Sequence, residues 1–92
     1  MYIVYLIQHS LSGESYIGFT KNLENRIKSH NANNNIATKK EDGEWVLVYA
    51  EAYRSEHDAR VRERKLKHHG SAKHGLMKRI KESFLQEIED KK

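Results

Sequence analysis

Residues 2–20 read Tyr2-Ile3-Val4-Tyr5-Leu6-Ile7-Gln8-His9-Ser10-Leu11-Ser12-Gly13-Glu14-Ser15-Tyr16-Ile17-Gly18-Phe19-Thr20. Two runs of Ile, Val, Tyr and Leu flank a Ser/Gly/Glu turn, which is the pattern of a β-hairpin. The first run, residues 2–8, is apolar on both faces and so predicts a strand covered on both sides. Residues 15–20 form the returning strand. With Ser12-Gly13 at the tip, Leu11 falls opposite Glu14 and Tyr5 opposite Thr20. Side chains alternate with period two, so Tyr5, Ile7, His9, Tyr16 and Gly18 then share one face.

Outward from the hairpin, Asn22 is a candidate N-cap for a helix over residues 23–31. Leu23 and Ile27 give that helix a short apolar stripe, and Arg26 and His30, four apart, share another face. Residues 31–44 are polar, with Asn33-Asn34-Asn35 and Asp42-Gly43, and read as a flexible loop. Trp45-Val46-Leu47-Val48-Tyr49-Ala50 is the strongest strand signal in the chain. Ser55 begins a helix expected to run to about His68 and to stop at Gly70. Leu76, Ile80, Phe84 and Ile88 at four-residue spacing predict a last helix over residues 73–89. The expectation is one domain spanning residues 1–92 of class α+β. It has a small three-stranded antiparallel sheet flanked by helices, in the order β-β-α-β-α-α.

Composition narrows the function. The chain has 92 residues and no cysteine, so disulfide frameworks and thiolate metal sites are excluded. Its apolar runs are too short to span a membrane, and the first residues lack the basic lead and cleavage site of a signal peptide. A cytoplasmic protein is the expectation. The net charge of +4 is unevenly spread. Residues 54–81 hold ten Lys/Arg against Glu56, Asp58 and Glu63, for +7, while residues 1–53 sum to −1 and 82–92 to −2. A basic block of this kind fits a polyanionic partner, through counterion release and steering.

Val4-Tyr5 and Tyr16-Ile17-Gly18, followed by Arg26 and His30, resemble the GIY-YIG nuclease domain. The stretch Ser15-Tyr16-Ile17-Gly18-Phe19-Thr20-Lys21-Asn22-Leu23 is particularly similar. So is Ala59-Arg60-Val61-Arg62-Glu63-Arg64-Lys65-Leu66-Lys67, which resembles the later helix of small stand-alone members. The likeness covers roughly residues 2–80. Singly, each residue has a plain reading: core tyrosines, a strand glycine, a solvated helix face, a glutamate making surface ion pairs. Five elements in the family's order are far more specific than any one of them.

The resemblance implies a metal-dependent endonuclease acting on DNA, including branched or repair-related structures. Glu63 is the expected ligand of Mg²⁺ or Mn²⁺, since a magnesium ion keeps several waters and takes few protein ligands. Arg26 would donate paired hydrogen bonds to phosphate oxygens. Of Tyr5 and Tyr16, one would activate or position the nucleophilic water and the other hold it or the phosphate. A free phenol titrates near ~10, so either tyrosine needs neighbouring positive charge to act as a base. His30 would relay a proton or orient a tyrosine hydroxyl. Gly18 would allow close approach of the phosphate, and Arg60, Arg62, Arg64, Lys65 and Lys67 would bind the nucleic-acid backbone.

Two features depart from the family pattern. Ile3 stands where the name-giving motif has glycine. Some members carry an asparagine after the glutamate, whereas this chain has none after Asn35, so that role is vacant or taken by a group such as His74. His68, His69 and His74 lack an acid or cysteine at a spacing that would complete a second metal site. A chain of this size has no room for a separate recognition domain, and targeting by a partner protein is one expected consequence. The competing reading is a nucleic-acid-binding module of the same fold that does not cut. A weaker one is an interaction protein using its last helix.

Overall fold

The computed structural model describes residues 1–33, 38–40 and 42–85. Its elements are β1 (Tyr2–His9), β2 (Ser15–Thr20), α1 (Leu23–Asn31), β3 (Trp45–Tyr53), α2 (Glu56–His68) and α3 (Gly70–Arg79), followed by a 3₁₀ turn at Lys81–Ser83. The three strands form one antiparallel sheet in the order β2-β1-β3. The architecture is therefore the expected α+β arrangement. Among the described residues, no helix is long and apolar enough to cross a membrane.

The central strand explains why its sequence is apolar on both faces. Val4 and Leu6 face α2 and α3, where they meet Ile17, Ala59, Leu66 and Leu76. Tyr5 and Ile7 face the opposite side, against Trp45, with Ile3, Tyr16, Leu23 and Ile27 packed around them. The sheet thus has a two-helix layer on one side and α1 on the other. Burying a side chain of this size contributes about 1.5–3 kcal/mol.

The hairpin register differs from the tip-centred expectation. Tyr5 pairs with Gly18 and Ile7 with Tyr16, rather than Tyr5 with Thr20. The connection is a longer loop, closed by His9 N–H donating to the Glu14 carbonyl at 2.8 Å, with Gly13 at φ 78°. The buried His9 ring organises it, its Nδ1 accepting from the backbone N–H groups of Leu11 (3.3 Å) and Ser12 (3.2 Å). The displacement is two residues, so alternation is preserved and the shared face survives.

Asn22 caps α1, its side chain accepting from Asn25 N–H at 3.1 Å, and Ser55 caps α2 in the same way through Asp58 N–H, also at 3.1 Å. α2 keeps its expected span, and the last helix differs from expectation. α2 ends at His68, and Gly70 opens α3 instead of merely stopping its predecessor. α3 ends at Arg79, and Phe84 is extended at φ −71°, ψ 154°. Leaving the helix turns the chain back to the sheet, where Leu85 N–H donates to the Gln8 side chain at 2.7 Å and Phe84 packs on the core. Ile88 lies outside the described residues.

Candidate active site

Tyr5 leaves the central strand directly across from Gly18, and this pairing shapes the site. A Cβ on Gly18 would overlap the Tyr5 hydroxyl and Cζ, and would lie 2.9 Å from Cε2. The phenol ring therefore lies across the glycine, and no other residue leaves it room. The hydroxyl then meets the His30 Nε2 at 2.7 Å. His30 is fully buried, with its Nδ1 2.7 Å from the Thr38 hydroxyl. Thr38 is held in turn by its own carbonyl, which accepts from Trp45 Nε1 at 2.8 Å. Tyr16 completes the group, its ring edge-on to His30 with centroids 5.3 Å apart.

Beside this cluster, at the free edge of β2, lies a cleft of about 530 Å³ lined by Phe19, Thr20, Lys21, Asn22, Arg26, Arg60 and Glu63. α1 contributes Arg26 and α2 contributes Arg60 and Glu63. Arg26 and Glu63 are both near enough to Tyr5 to act on its ionisation. A second cleft of about 330 Å³ shares Arg60 and Glu63 and adds Arg64, Lys67 and His68. The Glu63 carboxylate accepts an ion pair from Lys67 at 3.3 Å, and the same ammonium lies 5.0 Å above the Tyr16 ring.

Electrostatics assign protonation states. Burial pushes the Tyr5 phenol well above its ordinary value, Tyr16 and Glu63 push it further, and Arg26 only partly opposes them. Tyr5 is a neutral phenol at physiological pH. Burial, aided by Arg26, lowers His30 below its ordinary value, so the imidazole is neutral too. Two neutral groups in hydrogen-bond contact can pass a proton with no charge buried beforehand.

Of the residues singled out from the sequence, Tyr5, Tyr16, Gly18, Arg26, His30 and Glu63 gather at or beside this cleft. Arg60 lines it as well, and Arg64 and Lys67 line the second cleft that adjoins it. Arg62 goes elsewhere: its guanidinium donates to both oxygens of Glu51 on β3, Nε at 3.0 Å and the second nitrogen at 3.2 Å. Lys65 and His74 are exposed and line neither cleft. Sequence reasoning missed Thr38 and Thr20. The Thr20 hydroxyl accepts from Asn22 N–H at 3.0 Å and donates to the Asn22 carbonyl at 3.2 Å, fixing the entry to α1.

The model of the GIY-YIG catalytic domain matches residues 1–79 of the chain. The chain belongs to the GIY-YIG family. Ile3 does not disturb that membership, for its side chain packs beside Tyr5 in the α1-side cluster. A similar solved structure is the solution NMR structure of a UPF0213 protein from Bacillus halodurans. It is 26% identical, with 88% of this chain and 86% of that chain covered and a TM-score of 0.51. No curated protein matches the chain significantly.

GIY-YIG domains are nuclease-type domains that typically use a divalent metal, and the donor set here fits a hard cation. Among the described residues, no three His, Asp or Glu side chains converge. One carboxylate on the wall of an open polar cleft suits an ion that keeps its waters and takes phosphate oxygens as further ligands.

Proposed function

We propose that the chain is an endonuclease that hydrolyses DNA phosphodiester bonds with Mg²⁺ or Mn²⁺ as cofactor. The observation that carries this reading is the placement of the His30-bonded Tyr5 beside a cleft walled by Arg26 and Glu63. A phosphodiester entering that cleft meets the Arg26 guanidinium, which donates two parallel hydrogen bonds to its oxygens and balances charge building up there. Gly18 serves the site through Tyr5: the space a side chain would fill is taken by the phenol ring, so the glycine admits that ring and not, as expected from the sequence, the phosphate. A divalent ion held by Glu63 would supply Lewis-acid polarisation of the phosphate and further charge neutralisation.

Water activation runs through neutral groups. With His30 in the tautomer protonated at Nδ1, Tyr5 O–H donates to Nε2 and Nδ1–H donates to the Thr38 hydroxyl. As water attacks phosphorus, the bond to the departing sugar oxygen breaks. The water proton passes to the Tyr5 oxygen and the Tyr5 proton to Nε2. The imidazolium so formed returns its proton to solvent, while the departing oxygen takes one from solvent. No tyrosinate is required, which agrees with the raised phenol ionisation. Tyr16, edge-on to His30, holds the imidazole in line.

A second reading is favoured by one contact, the Lys67–Glu63 ion pair, which already occupies the carboxylate in the manner of a binding module that does not cut. Part-exposed pairs of this kind are weak, on the order of 0–1 kcal/mol, and yield to a divalent ion. The test incubates the protein with plasmid, single-stranded and branched DNA in Mg²⁺, Mn²⁺ or EDTA. The nuclease reading expects strand scission in either metal and none in EDTA. Binding to all three substrates without scission under any condition would replace it with the module.

A further inference from the structure

One cluster at the cleft has no part in the chemistry above. Tyr2 and Phe19 stack on the edge of the sheet with ring centroids 6.2 Å apart and planes 13° from parallel. A cation lies over each ring: Lys21 Nζ is 5.7 Å from the Tyr2 centroid, and the Arg60 guanidinium carbon 4.2 Å from that of Phe19. The result is a ladder of two stacked rings, each with a cation over it. Both aromatic residues are only half buried, packed by one side against the core of Val4, Leu6 and Ile17. Phe19, Lys21 and Arg60 line the same cleft as Arg26 and Glu63.

We propose that this ladder is a subsite for an unpaired nucleobase, the one next to the phosphate held at Arg26 and Glu63. The proposal rests on the reading that the cleft takes a phosphodiester, and it names the substrate class as single-stranded, flapped or gapped nucleic acid. Every base has a π face, so stacking on an aromatic ring is tolerant of sequence. It strengthens binding by roughly tenfold to a hundredfold per base. Paired bases are stacked within the duplex and cannot offer that face without being extruded.

The geometry suits a base better than it suits packing alone. Cation–ring contacts occur about once per 70–80 residues, yet two fall on this one stacked pair. Core packing at Phe19 would be met by leucine, which offers no face to a guanidinium. Among the described residues, Arg60 is otherwise tied only to Glu56, at 3.0 Å and with about half of each side chain exposed. An exposed i,i+4 pair of this kind holds the side chain weakly. Arg60 is therefore free to lift from Phe19 and close over an inserted base, while Lys21 meets a neighbouring phosphate.

The test uses the full chain in EDTA, where metal-dependent scission is absent. The probes are oligonucleotides carrying 2-aminopurine, either single-stranded or in a duplex. Wild type is expected to quench the single-stranded probe on binding and to leave the duplex probe unquenched. Phe19→Leu is expected to weaken single-strand binding by about tenfold or more without changing duplex binding, and Phe19→Trp to restore it. Arg60→Gln, a substitution at a half-exposed site, is expected to reduce the quench even if Phe19→Leu folds poorly. Absence of quenching in wild type, or equal single-strand affinity in folded Phe19→Leu, overturns the subsite. Parallel scission assays in Mg²⁺ separate the two readings. Scission with no Phe19 effect removes the subsite and keeps the nuclease, whereas quenching without scission does the reverse.

Discussion

The Tyr5 hydroxyl and the His30 Nε2 lie 2.7 Å apart although 25 residues separate them in sequence. The contact ties the central strand to α1 and places a neutral phenol and a neutral imidazole, both buried, beside the cleft. Tyr5→Phe keeps the ring and deletes the hydroxyl, leaving Nε2 buried and unpaired. We expect a loss of about 1–3 kcal/mol in denaturant unfolding. Scission should slow by roughly 10²–10⁴-fold, the usual worth of general acid–base catalysis. Wild-type stability and rate in this variant would mean that the contact does neither job.

Gly18→Ala probes the same ring from below. The added Cβ would overlap the Tyr5 hydroxyl and Cζ, so the ring must leave His30 or the strands must part. Overpacking of this kind costs about 1–3 kcal/mol. Thermal unfolding should show that loss together with reduced scission. A substitution tolerated in both assays would show that Tyr5 needs no contact across Gly18.

Arg62 and Glu63 are neighbours on α2, yet Arg62 turns to Glu51 on β3 while Glu63 lines the cleft. Glu51 accepts from Arg62, Tyr49 and Tyr53. Burial raises the Glu51 carboxyl, but those hydrogen bonds more than reverse it, so its value lies below the ordinary one. Its stabilising effect is present above the ordinary carboxylate range and fades as pH falls through the lowered folded value. Arg62→Met should cost about 1–3 kcal/mol at neutral pH, discounted for partial exposure, and leave nucleic-acid affinity nearly unchanged. Arg64→Ala should weaken binding and flatten its salt dependence. Equal binding losses for both variants would put Arg62 on the nucleic acid.

His30 sets a pH dependence of opposite origin. Burial and Arg26 hold its folded value below the ordinary ~6.5, so the unfolded chain takes up the proton first. The contribution of neutral His30 is complete above about pH 6.5 and declines as pH drops from there toward the lowered folded value. In urea unfolding, the gap between wild type and His30→Gln should therefore narrow from pH 7.5 to pH 5. A gap that widens on acidification would require a charged His30 in the folded protein.

The sequence carried the shared face of Tyr5, Tyr16 and Gly18 because strand alternation has period two, and a register moved by two residues leaves it intact. It did not carry the register itself, which depends on His9 accepting two loop N–H groups. Thr38 was illegible for a similar reason, since a threonine in a polar loop acquires its role only when His30 and Trp45 meet it. The basic run told nothing of which side each cation takes. Arg62 turns to β3 because Glu51 waits there, and no local pattern links residues so far apart in sequence. Leu76, Ile80 and Phe84 lie at helical spacing, yet Phe84 reaches the core from an extended backbone.

The most direct test of the central claim is the single-turnover scission rate of wild type and Glu63→Gln in Mg²⁺, with DNA affinity measured alongside. The account predicts a rate loss of about a thousandfold or more, with affinity kept within a few fold. It also predicts that EDTA abolishes wild-type scission. A Glu63→Gln protein that cuts at the wild-type rate, or wild-type scission indifferent to EDTA, would contradict it.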